Sequence, residues 1–159
     1  MPSFSTRRRM PFTPAQMFDL VADIERYPEF LPLCEELTLR SREEAGDRIV
    51  LVATMVAGYK AVRESFTTRV VLVPDQQKVL VEYLDGPFRH LENRWRFKAL
   101  AGGGCEVDFF IDYELRSAML GVLVGALFDK AFRRFSEAFE LRAREVYGSA
   151  GHENSARMA

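Results

Sequence analysis

Histidine and cysteine are scarce in this chain of 159 residues, with two of each, and tryptophan occurs once. His90 and His152 are too few for a metal trio or a histidine relay, and His90, following Pro87-Phe88, reads as a structural loop residue. Cys34 and Cys105 lie far apart with no C-x-x-C spacing, so both are expected to be reduced, buried and inert. No run approaches the roughly 18 to 20 consecutive apolar residues of a membrane span. G-x-G-x-x-G, phosphate-loop and H-E-x-x-H patterns are all missing. Net charge is nearly absent too: 22 Lys and Arg oppose 23 Asp and Glu, which removes a long-range basic field for nucleic acid and argues against a specific DNA partner. Ser65 beside Glu64, and Cys34 beside Glu35, would point to opposite faces of a strand, the wrong geometry for proton transfer to a nucleophile.

What the chain does have is apolar bulk. It is 48% hydrophobic, and 13 of its aromatic residues are Phe, which adds buried area without a polar group needing a partner. Length and composition match one globular domain, expected over residues 1–148, with a disordered tail over 149–159. Residues 3–10 read as a first strand. Thr13, Pro14 and Gln16 form a capping-box helix start, with Phe12 stapling to Met17, and Leu20, Val21 and Ile24 continue the apolar stripe. Tyr27-Pro28-Glu29-Phe30-Leu31-Pro32 breaks that helix and leaves one short turn between prolines.

From Cys34 to Glu114 the period changes to two, with turns expected at 44–47, 57–58, 74–76, 85–87 and 102–104, the pattern of an antiparallel meander. Folding about Gly102 sets Lys98 opposite Glu106 and Arg96 opposite Asp108 on a wet face. The same fold sets Phe97 opposite Val107 and Trp95 opposite Phe109 on an apolar one. Arg7 to Arg9 with Arg40, Arg42 and Arg48 form either a basic patch or an ordinary solvated sheet face.

After Ser117, read as an N-cap, helical spacing continues to about Tyr147 with Gly148 as the stop, a rod of about 45 Å. Residues 118–128 are apolar all round, so their outward side calls for a lid, a bound lipid, a second subunit or a membrane surface. Gly121 and Gly125 within this stretch suggest a close approach to the backbone, by a crossing strand, a ligand tail or a gate-like bend.

The residues Val21-Ala22-Asp23-Ile24-Glu25-Arg26-Tyr27-Pro28-Glu29-Phe30-Leu31-Pro32, then Cys34, Asp85-Gly86-Pro87-Phe88, Leu91, Trp95-Arg96-Phe97 and Ala138-Phe139-Glu140-Leu141-Arg142-Ala143 carry a resemblance. From about Ser3 to Tyr147 the chain resembles the coenzyme Q-binding START-like proteins. That group also contains the bacterial ribosome association toxin, within the polyketide cyclase and Bet v 1-like superfamily. The resemblance implies an α+β helix-grip fold: a curved seven-stranded antiparallel sheet wrapped on a long C-terminal helix, two short helices after the first strand, and an apolar cavity beneath. Leu33 stands where similar sequences often carry Trp, which leaves that segment as packing. Only Met1-Pro2 precedes the first strand, without an Arg-rich leader, so a bacterial, cytoplasmic protein is expected, with the inner membrane as a peripheral contact.

The leading expectation is a non-enzymatic carrier of ubiquinone or a similar polyprenyl lipid that supports respiratory electron transfer, with no cofactor beyond that ligand. Each buried CH₂ contributes about 0.8 kcal/mol, so a prenyl tail of a few units reaches micromolar affinity without a polar anchor. The expected walls are Trp95, Phe97, Phe109, Leu120, Val124 and Leu127, continued by Phe128 and Ala131 and completed by Phe30, Leu31, Val81 and Phe88. Tyr83 and Tyr113 are the candidate hydrogen-bond partners of a quinone carbonyl. The plain alternative is that these residues fill a solid core. The rival function is binding of the large ribosomal subunit, which the toxin relatives imply. A cyclase comes third, for want of inward polar groups, and a second copy of the chain, forming a homodimer through the apolar helix start, is a further candidate partner.

Overall fold

In the computed structural model, residues 3–59 and 62–148 are described, except for the side chains of Tyr59, Leu123 and Val124. The expected tail over 149–159 lies outside the described residues. Seven strands form one antiparallel sheet: β1 (Ser3–Met10), β2 (Cys34–Ala45), β3 (Arg48–Tyr59), β4 (Val62–Val73), β5 (Lys78–Asp85), β6 (Phe88–Ala99) and β7 (Cys105–Leu115). Their spatial order is β1-β7-β6-β5-β4-β3-β2, so the meander runs from β2 to β7 and β1 closes onto its last strand. Three helices pack on one face: α1 (Pro14–Ala22), α2 (Ala118–Arg133) and α3 (Phe135–Ala143).

The local chemistry behind these elements is visible in the caps. Thr13 Oγ1 accepts from Gln16 N at 3.1 Å while Gln16 Oε1 accepts from Thr13 N at 2.9 Å, which satisfies two otherwise orphaned N–H groups. Ser117 caps α2, accepting from Leu120 N at 3.3 Å. The β6–β7 register sets Trp95 against Phe109, Phe97 against Val107, Arg96 against Asp108 and Lys98 against Glu106, as the alternation predicts. Gly103 and Gly104 turn the hairpin with φ of 97° and 79°, a region costly for side-chain-bearing residues.

Four details differ from the sequence expectation. The short turn after α1 is a 3₁₀ segment over Ile24–Glu29 that contains Pro28, rather than a turn lying between Pro28 and Pro32. His90 lies within β6, not in a loop, with Nε2 2.9 Å from Asp112 Oδ2. Ala57-Gly58 is no turn either. Gly58 lies inside β3 and its N–H donates to Leu33 O at 2.9 Å. A Cβ at Gly58 would collide with the Glu35 carboxylate, which accepts from Arg63 Nε at 2.7 Å, so the glycine makes room for an ion pair and not for a bend. Finally, the C-terminal rod is interrupted at Arg134, whose N–H reaches back to Ala131 O at 3.0 Å, three residues away, and it ends in a π-turn over Arg144–Gly148.

The core lies between the inner sheet face and the helices. Phe88, Phe109, Phe139, Met17, Val21 and Val79 are almost completely buried. Phe139 of α3 meets Trp95, Tyr27 and Phe30 edge-on at centroid distances of 5.0, 5.3 and 5.0 Å, joining sheet, 3₁₀ segment and helix in one aromatic cluster. Arg8 is the one member of the Arg7-Arg8-Arg9 run that turns inward. Its guanidinium donates to Glu140 Oε1 at 3.0 Å and ties β1 to α3.

Candidate functional site

A cavity of about 80 Å³ lies in the middle of the inner sheet face. Strands β2 to β7 supply its floor, Ile24, Tyr27 and Leu31 one end, and Phe132, Phe135 and Phe139 its roof. Among the described residues no charged side chain lines it. A smaller space of about 20 Å³ adjoins it, sharing Met55, Phe66, Phe132 and Phe135 and reaching Leu33, Cys34, Phe128 and Ala131.

Polar groups are few in this lining. The Tyr27 hydroxyl donates to Val21 O, and burial pushes its pKa far above the usual phenol range. Asn93 Oδ1 accepts from Trp95 Nε1 at 3.0 Å and Asn93 Nδ2 donates to Phe110 O at 2.8 Å, leaving one amide N–H unassigned. Thr68 is buried and faces the cavity, and no side-chain hydrogen bond among the described residues occupies its hydroxyl. These two positions lie on β4 and β6, two strand spacings across and two residues along the ladder, about 12 Å apart.

The expected site residues divide into groups. Leu31, Val81 and Trp95 line the main cavity, and Phe128 and Ala131 line its smaller neighbour. Phe88 is sealed among Phe66, Tyr83, Tyr113 and Phe128, while Phe97 is covered by Phe18 of α1 and Phe109 by Phe4 and Phe135. Phe30 packs on Phe139 beneath the Arg142 guanidinium. Leu120 and Leu127 are half-buried on α2 outside both spaces, and the side chain of Val124 lies outside the described residues. Tyr83 does not reach the cavity; its hydroxyl accepts from Phe88 N at 3.1 Å. Burial pushes the Tyr113 hydroxyl up to about 12, and the residue lines a different space, an open cleft of about 450 Å³ between α2 and the end of β7. Thr68 and Asn93 are the polar positions that sequence reading missed. Their signal was positional, since Thr68 alternates with Phe66 and Val70, and Asn93 with Leu91 and Trp95, on inward-facing sites.

The cleft beside α2 corrects the reading of its glycines. Among the described residues no strand backbone comes close to them: a Cβ at Gly121 would meet nothing within 4 Å, and one at Gly125 only the side chain of Leu115, at the end of β7, with Cδ1 at 3.8 Å. The helix start does carry outward apolar groups, with Met119 73% and Val122 85% exposed. No described helix is long and apolar enough to cross a membrane. Both cysteines are buried free thiols, Cys34 pushed up to about 12 and Cys105 to about 11 by burial, as inert thiols should be.

The outer face of the sheet differs sharply. It holds a shallow groove of about 790 Å³ running over β1, β7, β6, β5 and the adjoining ends of β3 and β4. Arg7, Arg48, Lys78, Arg94 and Arg96 line it, with Asp108 as the single carboxylate among the described residues.

Comparison with known proteins places this geometry. Residues 10–140 match the family model described as polyketide cyclase / dehydrase and lipid transport. The chain is 30% identical over 155 residues to the ribosome association toxin RatA of Escherichia coli strain K12, covering 94% of this chain and 91% of that one. It is 31% identical over 149 residues to the mitochondrial coenzyme Q-binding protein COQ10 homolog B of Xenopus laevis, covering 91% of this chain and 59% of that one. Among solved structures, an 18 kDa protein of Caulobacter crescentus superposes with a TM-score of 0.75 at 32% identity, over 93% of this chain and 99% of its own. The chain belongs to the polyketide cyclase, dehydrase and lipid transport family, in the START-like group that holds the ribosome association toxins and the coenzyme Q-binding proteins.

Proposed function

We propose that the protein binds an isoprenoid quinone or a comparable polyprenyl lipid between the sheet and the C-terminal helices, and carries it without catalysis. The observation behind this is the lining of the cavity: among the described residues its walls are apolar and aromatic without charge, interrupted by the Thr68 hydroxyl and one Asn93 amide N–H that have no side-chain partner there. A para-quinone whose two carbonyl oxygens each lie about 2.9 Å from a donor bridges a separation of the order found between β4 and β6. A cyclase would need a proton shuttle. The titratable group in the lining is Tyr27, whose buried hydroxyl stays protonated and is already bonded to Val21 O.

At about 80 Å³ the cavity is smaller than the engineered space of about 150 Å³ that takes up benzene, so the closed form has no room for a quinone ring. Ligand entry therefore requires α2 to move away from the sheet. The break at Arg134 supplies the hinge, and the cleft beside Tyr113, Gly121 and Gly125 supplies the approach. Tyr113 and Phe132 rings, 4.9 Å apart, stand between that cleft and the cavity. Organic extraction of purified protein followed by mass spectrometry, then rebinding of a short-chain ubiquinone, tests the reading. A recovered or saturably rebound prenyl lipid is expected, and Ala53→Leu, which fills the void from its β3 floor, should abolish rebinding while the fold persists. No recovered and no rebound lipid would end the carrier reading.

A second reading, association with the large ribosomal subunit, draws on the basic outer groove. Sucrose-gradient profiles after overexpression test it: a lowered ratio of joined to separate subunits supports it, and an unchanged ratio removes it.

A further inference from the structure

Resting on the second reading above, we propose that the basic outer face of the sheet is a docking surface for the phosphate backbone of RNA, independent of any lipid held on the inner face. Register brings together cations that sequence keeps apart. Arg7 pairs with Asp108, Asp108 with Arg96 and Arg96 with Lys78, so one row crosses β1, β7, β6 and β5. At about 4.8 Å per strand that row spans about 14 Å, a few nucleotides of backbone. Arg48 extends the lining at the start of β3.

Two features of this surface favour a polyanion as its partner. Arg96 and Lys78 stand directly opposite each other in the ladder, where like charges destabilise a sheet. Moreover Arg48, Lys78 and Arg96 have no carboxylate within 4.0 Å among the described residues, while cations elsewhere on the same face do: Arg69 reaches Glu82 at 3.1 Å and Arg89 reaches Glu114 at 3.8 Å. The lone carboxylate in the row, Asp108, is 3.6 Å from Arg7 and 3.7 Å from Lys98, too far for a hydrogen bond to either, so it neutralises the row only loosely. A polyanion would relieve this repulsion.

The next rows say where that polyanion stops and what else it meets. Ser5, Phe110, Arg94 and Leu80 form the neighbouring row, and the Arg94 guanidinium lies 4.4 Å over the Phe110 ring. That pair offers a flat stacking platform of the kind unpaired bases use. One row further, Asp112, Glu92 and Glu82 face one another, and each has a basic partner, His90 at 2.9 Å, Arg94 at 4.0 Å and Arg69 at 3.1 Å, so the stretch of cations without a carboxylate ends there. RNA fits this surface better than a membrane does. The cations line a recess, and the exposed apolar Met119 and Val122 that would enter a bilayer lie on α2, a helix packed on the other face of the sheet.

The test is fluorescence anisotropy with a labelled single-stranded RNA of about 12 nucleotides, within the usual footprint of such surfaces, titrated at several salt concentrations. Wild-type protein should bind, with log K falling linearly against log salt. Arg96→Glu with Lys78→Glu should weaken binding at least tenfold and flatten that slope by one to two charges, at about 0.7 for each phosphate that is no longer neutralised. Arg96→Gln with Lys78→Gln should do the same more mildly, and Trp95 emission checks that both variants are folded. Arg69→Glu, at the paired end of the face, should change affinity less than twofold. The proposal is overturned if wild-type protein does not bind the RNA, or if folded Arg96 and Lys78 variants bind it with unchanged affinity and slope. It is equally overturned if phosphatidylglycerol vesicles, and not RNA, lose binding in those variants. Persistence of a gradient-profile shift in variants that no longer bind the RNA would overturn the outer face as the ribosome-binding surface.

Discussion

The two faces of one sheet carry opposite arrangements. On the inner face, Phe66, Trp95, Phe109 and their neighbours nearly close the space and leave about 80 Å³. On the outer face, arginines and a lysine line a groove of about 790 Å³ that needs no movement to accept a partner. Strand alternation makes both from the same segments, since Trp95 and Phe97 face inward while Arg94 and Arg96 face outward. The inner face thus has the right chemistry for a lipid but not yet the room, whereas the outer face has room and charge without enclosure. Under the two proposals above, that contrast divides the molecule's work into stability and lipid selection inside and recognition of a polyanion outside.

The sharpest way to break the comparison is to truncate one residue from each face. Phe88→Ala, inside a cluster of four rings, should cost about 3 to 5 kcal/mol in urea denaturation, while Arg96→Ala should stay within about 0.5 kcal/mol. Equal losses would mean that the groove is structural. Next come the inner thiols. With Cys34 held at about 12 against an ordinary 9.0, the folded protein carries roughly a thousandfold less thiolate near pH 8, so labelling with a disulfide reagent should be slow and should accelerate on unfolding. Because burial raises these pKa values, the unfolded chain loses those protons first: stability is full below pH 9 and declines as pH rises from 9 through about 12. Rapid labelling in native buffer would show that the C-terminal helices open freely.

Thr68→Val sharpens the inner side further. It keeps the shape and removes the hydroxyl, so quinone affinity should fall about three- to tenfold, while a prenyl hydrocarbon without carbonyls should bind as before. Equal loss for both ligands would remove Thr68 as the anchor. The smallest effect belongs to the outer face: Lys78→Gln should raise stability by a few tenths of a kcal/mol at low salt by relieving the Arg96 repulsion, and the gain should vanish at high salt.

Much of this was legible from residue order. The capping box at Thr13, strand β1 and the β6–β7 register all follow from local chemistry that the sequence displays directly. Gly58 misled because glycine marks turns and close approaches alike, and its reason, the Glu35–Arg63 pair, comes from two other strands. The break at Arg134 carries no Pro or Gly to announce it. Overall charge balance hid the groove, whose cations from Arg7 to Arg96 come together only through strand register, and the patch expected around Arg40 and Arg42 does not join it. Arg40 instead bonds Thr54, and Arg42 lies 4.0 Å from Glu44.

Trp95 offers the most direct measurement of the central claim, because it is the single tryptophan and it lines the cavity. Quinones quench indole emission on contact. Titration with a short-chain ubiquinone should give saturable quenching of Trp95 that is lost in Ala53→Leu. Emission unchanged by quinone, or quenched equally in the filled variant, would contradict a lipid held between sheet and helices.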